Sequence, residues 1–277
     1  AHPYGEPVVG HMSDLQTITR EEAVTWFAKY YGANNLTIAV VGDVNPKEVR
    51  KIAQTYFGRL PKGGKPEPVE TVEPEQQGER RCTIVAQAQP FIIIGYHRPD
   101  INHPDNAVLN AITDILGRGR TSRLYKSLVK EKKIAIQAGA FSGLTGDKYP
   151  GLFNFYAFAA KDHTNEENEK AIYEEIERLK TELVSPEELQ KAKTRARADL
   201  IRQLNSNLGL AIQLTFYQVL TGDWRNLFHR LEQIEKVTAE DIKRVANEYF
   251  TDKNKTVGTL ETEKKEEKVE DEGKQTL

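Results

Sequence analysis

The pattern of apolar and polar positions along this chain occurs twice. Thr19–Val41, TREEAVTWFAKYYGANNLTIAVV, and Thr238–Leu260, TAEDIKRVANEYFTDKNKTVGTL, align without a gap at an offset of 219 residues. Each copy opens on a Thr with an acid three residues later, the spacing of a capping box. A helical apolar stripe follows and ends in paired aromatics, Tyr30-Tyr31 or Tyr249-Phe250. In the first copy Ala23, Trp26, Phe27, Tyr30 and Tyr31 fall at i, i+3, i+4, i+7 and i+8, one face of a helix. A polar turn with an Asn in register (Asn35, Asn254) then leads into a predicted strand. Self-similarity of this kind argues for duplication of a whole domain. Roughly residues 80 to 237 precede the second copy, but only 18 residues precede the first. If the units are equivalent, the chain is expected to begin partway through its first domain, with on the order of 140 residues upstream.

The same patterning predicts the other elements. Leu36–Val41 reads as a strand covered on both faces, because its apolar run is continuous. Asn45, Pro46 and Glu48 start a helix with the stripe Val49, Ile52, Ala53, Tyr56 and Phe57, which Gly58 ends. Residues 59–79 hold four prolines and three glycines without an apolar period, the composition of an extended linker. Strands are predicted at Arg81–Ala88 and Phe91–His97. Helices follow at about Pro104–Leu116 and Ser122–Lys130, then a strand pair at Ile134–Phe141 and Leu152–Ala159. One face of the aromatic strand Phe153, Phe155, Tyr156, Phe158 reads as core. Further helices are predicted at Asn165–Leu183, Ser185–Leu204, Leu208–Leu220 and Trp224–Ile234. Strands followed by a block of helices indicate α+β architecture, a sheet with helices mainly on one face.

Composition adds limits. The chain of 277 residues is 38% hydrophobic and 29% charged, with a formal charge of −2. Near-balanced charge gives no sign of a nucleic-acid partner, and no apolar run is long enough to form a transmembrane helix. The charged segment Glu261–Leu277 is expected to be disordered. Cys82 is the only cysteine, which excludes an internal disulfide and a Cys-rich zinc site.

Candidate chemistry is sparse. No two of His2, His11, His97, His103, His163 and His229 are four apart, so neither H-E-x-x-H nor H-x-x-E-H occurs. His97 and His103 flank a loop at a spacing that matches no helix face. G-x-S-x-G is absent. Gly117-Arg118-Gly119-Arg120 could bind an anion at a helix start, but it fits no phosphate-loop pattern, and a sharp helix-to-helix turn is the preferred reading. The residues alone contain no complete catalytic constellation.

Several motifs in order do resemble a family. His2-Pro3-Tyr4-Gly5 with Pro7-Val8-Val9-Gly10, then Phe27, Tyr30, Tyr31, Asn34-Asn35 and Val40-Val41-Gly42-Asp43-Val44, then Tyr56-Phe57-Gly58 and Pro61 are similar to the pitrilysin (insulinase) zinc metallopeptidases. So are Leu116-Gly117, Ser122-Arg123-Leu124-Tyr125 with Leu128-Val129, Ser185 to Leu189, and Ala192-Lys193. The branch resembled is the bacterial one akin to mitochondrial processing peptidase, and the likeness covers about residues 2 to 262. It implies a pitrilysin-like metallopeptidase-homology α/β sandwich, duplicated, with the first copy truncated. The implied division is 1–61 (end of a first domain), 62–79 (linker), 80–262 (second domain) and 263–277 (charged tail).

The resemblance places the family's zinc ligands and general base upstream of the HPYG loop, with no counterpart here. Catalytic and metal residues in this chain are therefore expected to be none, with zinc only in the parent protein. An Arg and a Tyr seven apart hold substrate in family partner domains; those positions are Val129 and Ile136 here. The implied function is the C-terminal part of a zinc metalloendopeptidase, contributing chamber wall and framework. Its implied partners are a second pitrilysin-like subunit or half and a peptide substrate, with no nucleic acid and no membrane. The chain alone is expected to be inactive. A non-catalytic assembly or peptide-binding subunit is the alternative, and a plain α+β peptide-binding module stands outside the family.

Overall fold

The computed structural model describes residues 2–64 and 66–263. Before the linker lie three helices, α1 (Met12–Thr17), α2 (Arg20–Tyr30) and α3 (Pro46–Phe57). The starts of α2 and α3 follow from local signals. The Thr19 hydroxyl accepts from the Glu22 amide at 3.2 Å and the Glu22 carboxylate accepts from the Thr19 amide at 2.8 Å, closing the expected capping box. The Asn45 side chain caps α3 ahead of Pro46.

Leu36–Val41, expected as a covered strand, is extended but joins no ladder, and its residues are exposed or half-buried. A strand needs a neighbour to take its amides and carbonyls, and among the described residues none lies beside it. The linker start folds back on this region. Pro61 and Lys62 carbonyls accept from Ala33 and Asn34 at 3.1 and 3.0 Å. Gly63, at φ 68°, lies so close to Gly32 that a side chain on either would collide with the other.

After the linker comes a sheet of five strands: β1 (Arg80–Ala86), β2 (Phe91–Arg98), β3 (Ala135–Ser142), β4 (Gly151–Ala159) and β5 (Lys255–Thr262). Their order is β1-β5-β2-β4-β3. β1 runs parallel to β5, and every other pairing is antiparallel. Six α-helices accompany the sheet: α4 (Asn106–Leu116), α5 (Asn165–Thr181), α6 (Pro186–Leu204), α7 (Asn207–Thr221), α8 (Asn226–Lys236) and α9 (Ala239–Tyr249). Helices α4, α5 and α9 lie on one sheet face, as the α+β reading expects, with α6 and α8 packed against α4.

The core fills the space between sheet and helices. Ile92, Ile94, Phe153, Phe155 and Val257 enter it from the strands, and Leu109, Ile112, Ile172, Ile176, Val245 and Phe250 from the helices and their ends. Phe250 rests on Tyr96 and Phe153 at 5.1 Å and on Phe155 at 5.3 Å between ring centres, a contact beyond simple area burial. The other sheet face bears half-buried Phe91, Ile93, Tyr156 and Phe158.

Two further expectations change. The segment beginning at Ser122 is a π-helix over Tyr125–Glu131, because the Lys132 amide bonds back to Ser127 O at 2.9 Å. Glu261, expected in the disordered tail, pairs with Val85 in β5, since β1 offers it a partner. Residues 264–277 of that tail lie outside the described residues.

Candidate functional site

The two positions singled out for substrate contact flank one tight corner. Leu124 and Leu128 are fully buried and anchor the π-helix to the core. Val129, beside them, packs half-buried against that core. The chain then reverses at Lys133, with φ 57°, and the Ile134 amide bonds to Leu128 O at 3.0 Å. β3 starts with a register shift between Ala135 and Gln137, so Ile136 sits unpaired in a bulge and exposed. Neither side chain can donate a hydrogen bond. The corner offers only apolar contact.

Just beyond it, Gln137 Nε2 donates to Tyr156 Oη at 3.2 Å on the open sheet face. Phe141 stands 5.9 Å from Tyr156, and Phe91 lies 4.6 Å from Phe158. These rings form a continuous apolar wall with one amide–hydroxyl pair. The strand alternation marked Tyr156 and Phe158, but nothing in the sequence marked Gln137; only the cross-strand register reveals the pair.

Gly117-Arg118-Gly119-Arg120 is a helix-to-helix turn, as preferred. A side chain at Gly117 would strike the backbone of Ala140, at 2.0 Å from its nitrogen, so glycine is required for the turn to lie against β3. Gly119 has φ 76°. Arg118 pairs with Asp114 and Asp199, and Arg195 with Asp114 at 3.6 Å. Burial pushes the Asp114 carboxyl up despite these guanidinium groups. Asp114, Arg118 and Asp199 border a cavity of about 340 Å³ between α4, α6 and α8. Arg202 on its rim pairs with Asp199 at 2.7 Å, whereas Arg230 donates to Tyr217 Oη at 3.3 Å.

Arg98, at the end of β2 on the helix side of the sheet, is a buried charge. Its guanidinium donates to Ser142 Oγ, to Asn106 Oδ1 at 2.7 Å and to Pro99 O at 2.9 Å, with Asp147 at 3.4 Å. Burial pushes its pKa down. It ties the ends of β2 and β3 to α4 and to the loop beneath Tyr4. At that loop Tyr4 and His2 of the HPYG segment pack on Tyr149 at 5.7 and 5.2 Å.

The histidines are dispersed. His11 contacts Glu6 at 3.0 Å, His97 lies 3.8 Å from Glu73, His103 3.7 Å from Asp105, His163 2.9 Å from Glu167 and His229 3.6 Å from Glu232. Each meets one carboxylate, and no cluster of three His, Cys, Asp or Glu side chains suited to a metal occurs among the described residues. This donor set does not fit the three-ligand zinc of a peptidase. Cys82 is an exposed strand residue beside Gly258.

The profile of the Peptidase M16 inactive domain matches residues 17–196. The chain belongs to the M16 peptidase family. This agrees with the family its motifs resemble. Among M16 relatives, the zinc protease PqqE of Helicobacter pylori is 31% identical over 260 residues, covering 92% of this chain and 58% of the relative. A crystal structure of a protease from Helicobacter pylori superposes with a TM-score of 0.83 at 29% identity, over 91% of this chain and 61% of that one. A peptidase M16 inactive domain from Pseudomonas fluorescens shares the fold, with a TM-score of 0.81 at 22% identity, over 95% of this chain and 62% of that one. The chain thus spans about three-fifths of the length of the M16 proteins it matches.

Proposed function

We propose that this chain is the non-catalytic part of an M16 zinc metalloendopeptidase. It forms a wall and framework of a chamber in which a partner half, carrying the zinc motif, hydrolyses peptides. The observation that carries this reading is the apolar corner. A chain matching the inactive-domain profile over residues 17–196 has Val129 and Ile136 at the positions where the family resemblance implies an Arg and a Tyr. The histidines of this chain cannot gather around zinc, so the ion and the water it would activate belong to the remainder of the parent protein. The open sheet face, with Tyr156, Phe158 and Phe91, suits an apolar wall against which a peptide lies.

A second M16 subunit, distinct from the zinc-bearing half, would supply the Arg and Tyr. One donor aimed at a developing oxyanion is typically worth about 2.7–4 kcal/mol of barrier, which Val and Ile cannot replace. The purified chain is expected to bind no stoichiometric zinc after dialysis, by elemental analysis, and to leave unstructured peptides intact. Added to an M16 half that carries H-x-x-E-H, it should stay nearly inactive until a related subunit bearing the Arg and Tyr is supplied, and the cleavage then gained should be abolished by a chelator. One tightly held zinc per chain with chelator-sensitive proteolysis by the chain alone would overturn the proposal.

A further inference from the structure

The cavity between α4, α6 and α8 has an apolar side and a charged side. Ala111, Ala192 and Ile234 are buried along it, with Ala196 beside them. Packed helices interlock through their side chains, and the three alanines leave about 340 Å³ between them unfilled. Ligand pockets run from about 300 to 1,000 Å³, so the space suits a small organic molecule. On the charged side the guanidinium groups of Arg118, Arg202 and Arg230 face the carboxylates of Asp114 and Asp199. Every wall comes from residues between Asn110 and Ile234, within one helix layer.

Arg230 differs from its neighbours. The other arginines of α5 through α9 each meet a carboxylate: Arg178 with Glu175 at 3.1 Å, Arg195 with Asp114 at 3.6 Å, Arg197 with Glu235 at 2.8 Å, Arg202 with Asp199 at 2.7 Å, and Arg244 with Asp105. Among the described residues Arg230 meets none, and its side chain donates only to Tyr217 Oη at 3.3 Å. The positions a turn away on its helix are Asn226, Leu227, Gln233 and Ile234, none of them acidic. A guanidinium carries five N–H donors in a flat fork, and Tyr217 takes one. Tyr217 is buried, so it fixes the head of Arg230 at the cavity. The two aspartates are offset by Arg118, Arg202 and Arg195. Burial also pushes the Asp114 carboxyl up, which lessens the repulsion an incoming anion meets.

We propose that this cavity binds a small organic carboxylate through Arg230. The guanidinium fork takes the carboxylate group in two parallel hydrogen bonds. Ala111, Ala192, Ala196 and Ile234 receive its hydrocarbon body. That apolar side favours a carboxylate with a short aliphatic chain over inorganic phosphate, which has no apolar surface to bury there. The site lies in the helix layer, whereas the apolar wall suited to a peptide is the opposite face of the sheet. Its occupancy is therefore independent of peptide cleavage. A ligand seated between α4, α6 and α8 stabilises their packing by mass action.

The test is isothermal titration calorimetry of the whole chain with three probes: isocaproate, its neutral isostere isocaproamide, and inorganic phosphate. Isocaproate should bind as a single molecule per chain, and isocaproamide at least about tenfold more weakly, since it lacks the charge that strengthens a hydrogen bond. Phosphate should not displace isocaproate. Arg230→Gln should weaken isocaproate at least about tenfold. Arg197→Gln removes a charge already paired with Glu235 and should leave the affinity unchanged. Ala196→Leu fills the cavity and should abolish binding; if that variant does not fold, the two arginine variants decide. Thermal melts give a second readout: isocaproate should raise the Tm of the unaltered chain and of Arg197→Gln, but not of Arg230→Gln. Four results overturn the inference: no binding of isocaproate, equal binding of isocaproamide, displacement of isocaproate by phosphate, or equal losses from Arg197→Gln and Arg230→Gln.

Discussion

Phe250 and Tyr31 hold the same position in the two copies of the repeat, yet Phe250 is 1% exposed and Tyr31 62%. Val257 and Ile38, also equivalent, are 0% and 50% exposed. The capping boxes around them match, and in each copy an asparagine plugs the helix end, Asn35 Nδ2 donating to Tyr30 O at 2.9 Å and Asn254 Nδ2 to Tyr249 O at 2.8 Å. Local signals are therefore met within a few residues whatever the surroundings, because a cap needs only its own helix end. Burial and strand pairing require groups distant in sequence, and among the described residues these surround the second copy. An isolated 11-residue helix such as α2 is marginal in water. The first copy accordingly owes little stability to its apolar stripe, and the second owes most of its own to it.

The contrast breaks most directly at the paired aromatics. Phe250→Ala should destabilise the five-stranded unit by about 3–5 kcal/mol, the range for emptying an aromatic core site. Tyr31→Ala should stay within about 0.5 kcal/mol, as for other surface changes. Urea unfolding of the two variants compares them, and an equal cost would mean that the first copy is packed in solution.

A smaller contrast lies in the plugs. Asn254 also donates to His97 O at 2.9 Å, tying the turn to β2. Its loss should leave that carbonyl without a partner and cost about 1–3 kcal/mol. Asn35→Ala, at a carbonyl that water can reach, should change the same unfolding midpoint by less than about 0.5 kcal/mol.

The smallest effect is electrostatic and belongs to the packed domain alone. Arg123 donates two hydrogen bonds of 2.8 Å to Glu188 and holds its pKa down to about 2, from an ordinary 4.5. A depressed carboxyl pKa stabilises the fold above the unfolded value, and the gain is lost as pH falls through the folded value. The stability of the second domain should therefore decline between pH 4.5 and about 2. Glu188 is partly solvated, so its share is about 1 kcal/mol or less. Thermal melts of Glu188→Gln should show a shallower pH slope across that window; an unchanged slope would remove the pair from the account.

Much of the fold was legible because it follows from short-range rules. Thr19–Glu22, Ser185–Glu188 and the stripe Ile172, Ile176, Leu179 announced their helices. The unpaired state of Leu36–Val41 was not legible, since an apolar run looks the same whether or not a neighbour exists. The π-turn at Tyr125–Glu131 and the bulge at Ile136 were hidden too. Each arises from fitting a helix end and a strand start around Leu128, a constraint set by packing. At the candidate site, motif order located Val129 and Ile136. Which side chains share the open face, Gln137 and Tyr156 among them, depended on a cross-strand register that composition does not encode.

The parallel ladder of β1 and β5 has a kinetic meaning. Arg80 and Thr256 are neighbours in the sheet although most of the domain separates them along the chain. A ribosome makes β1 early, yet its only described sheet partner emerges after α9. Until then β2 can pair with β4, but one side of β2 stays bare and β1 has nothing to join. Such long-range closure slows folding and leaves strand edges open to stray contacts. The nascent domain thus passes through a stage in which its middle is vacant, and synthesis of Lys255–Thr262 fills it.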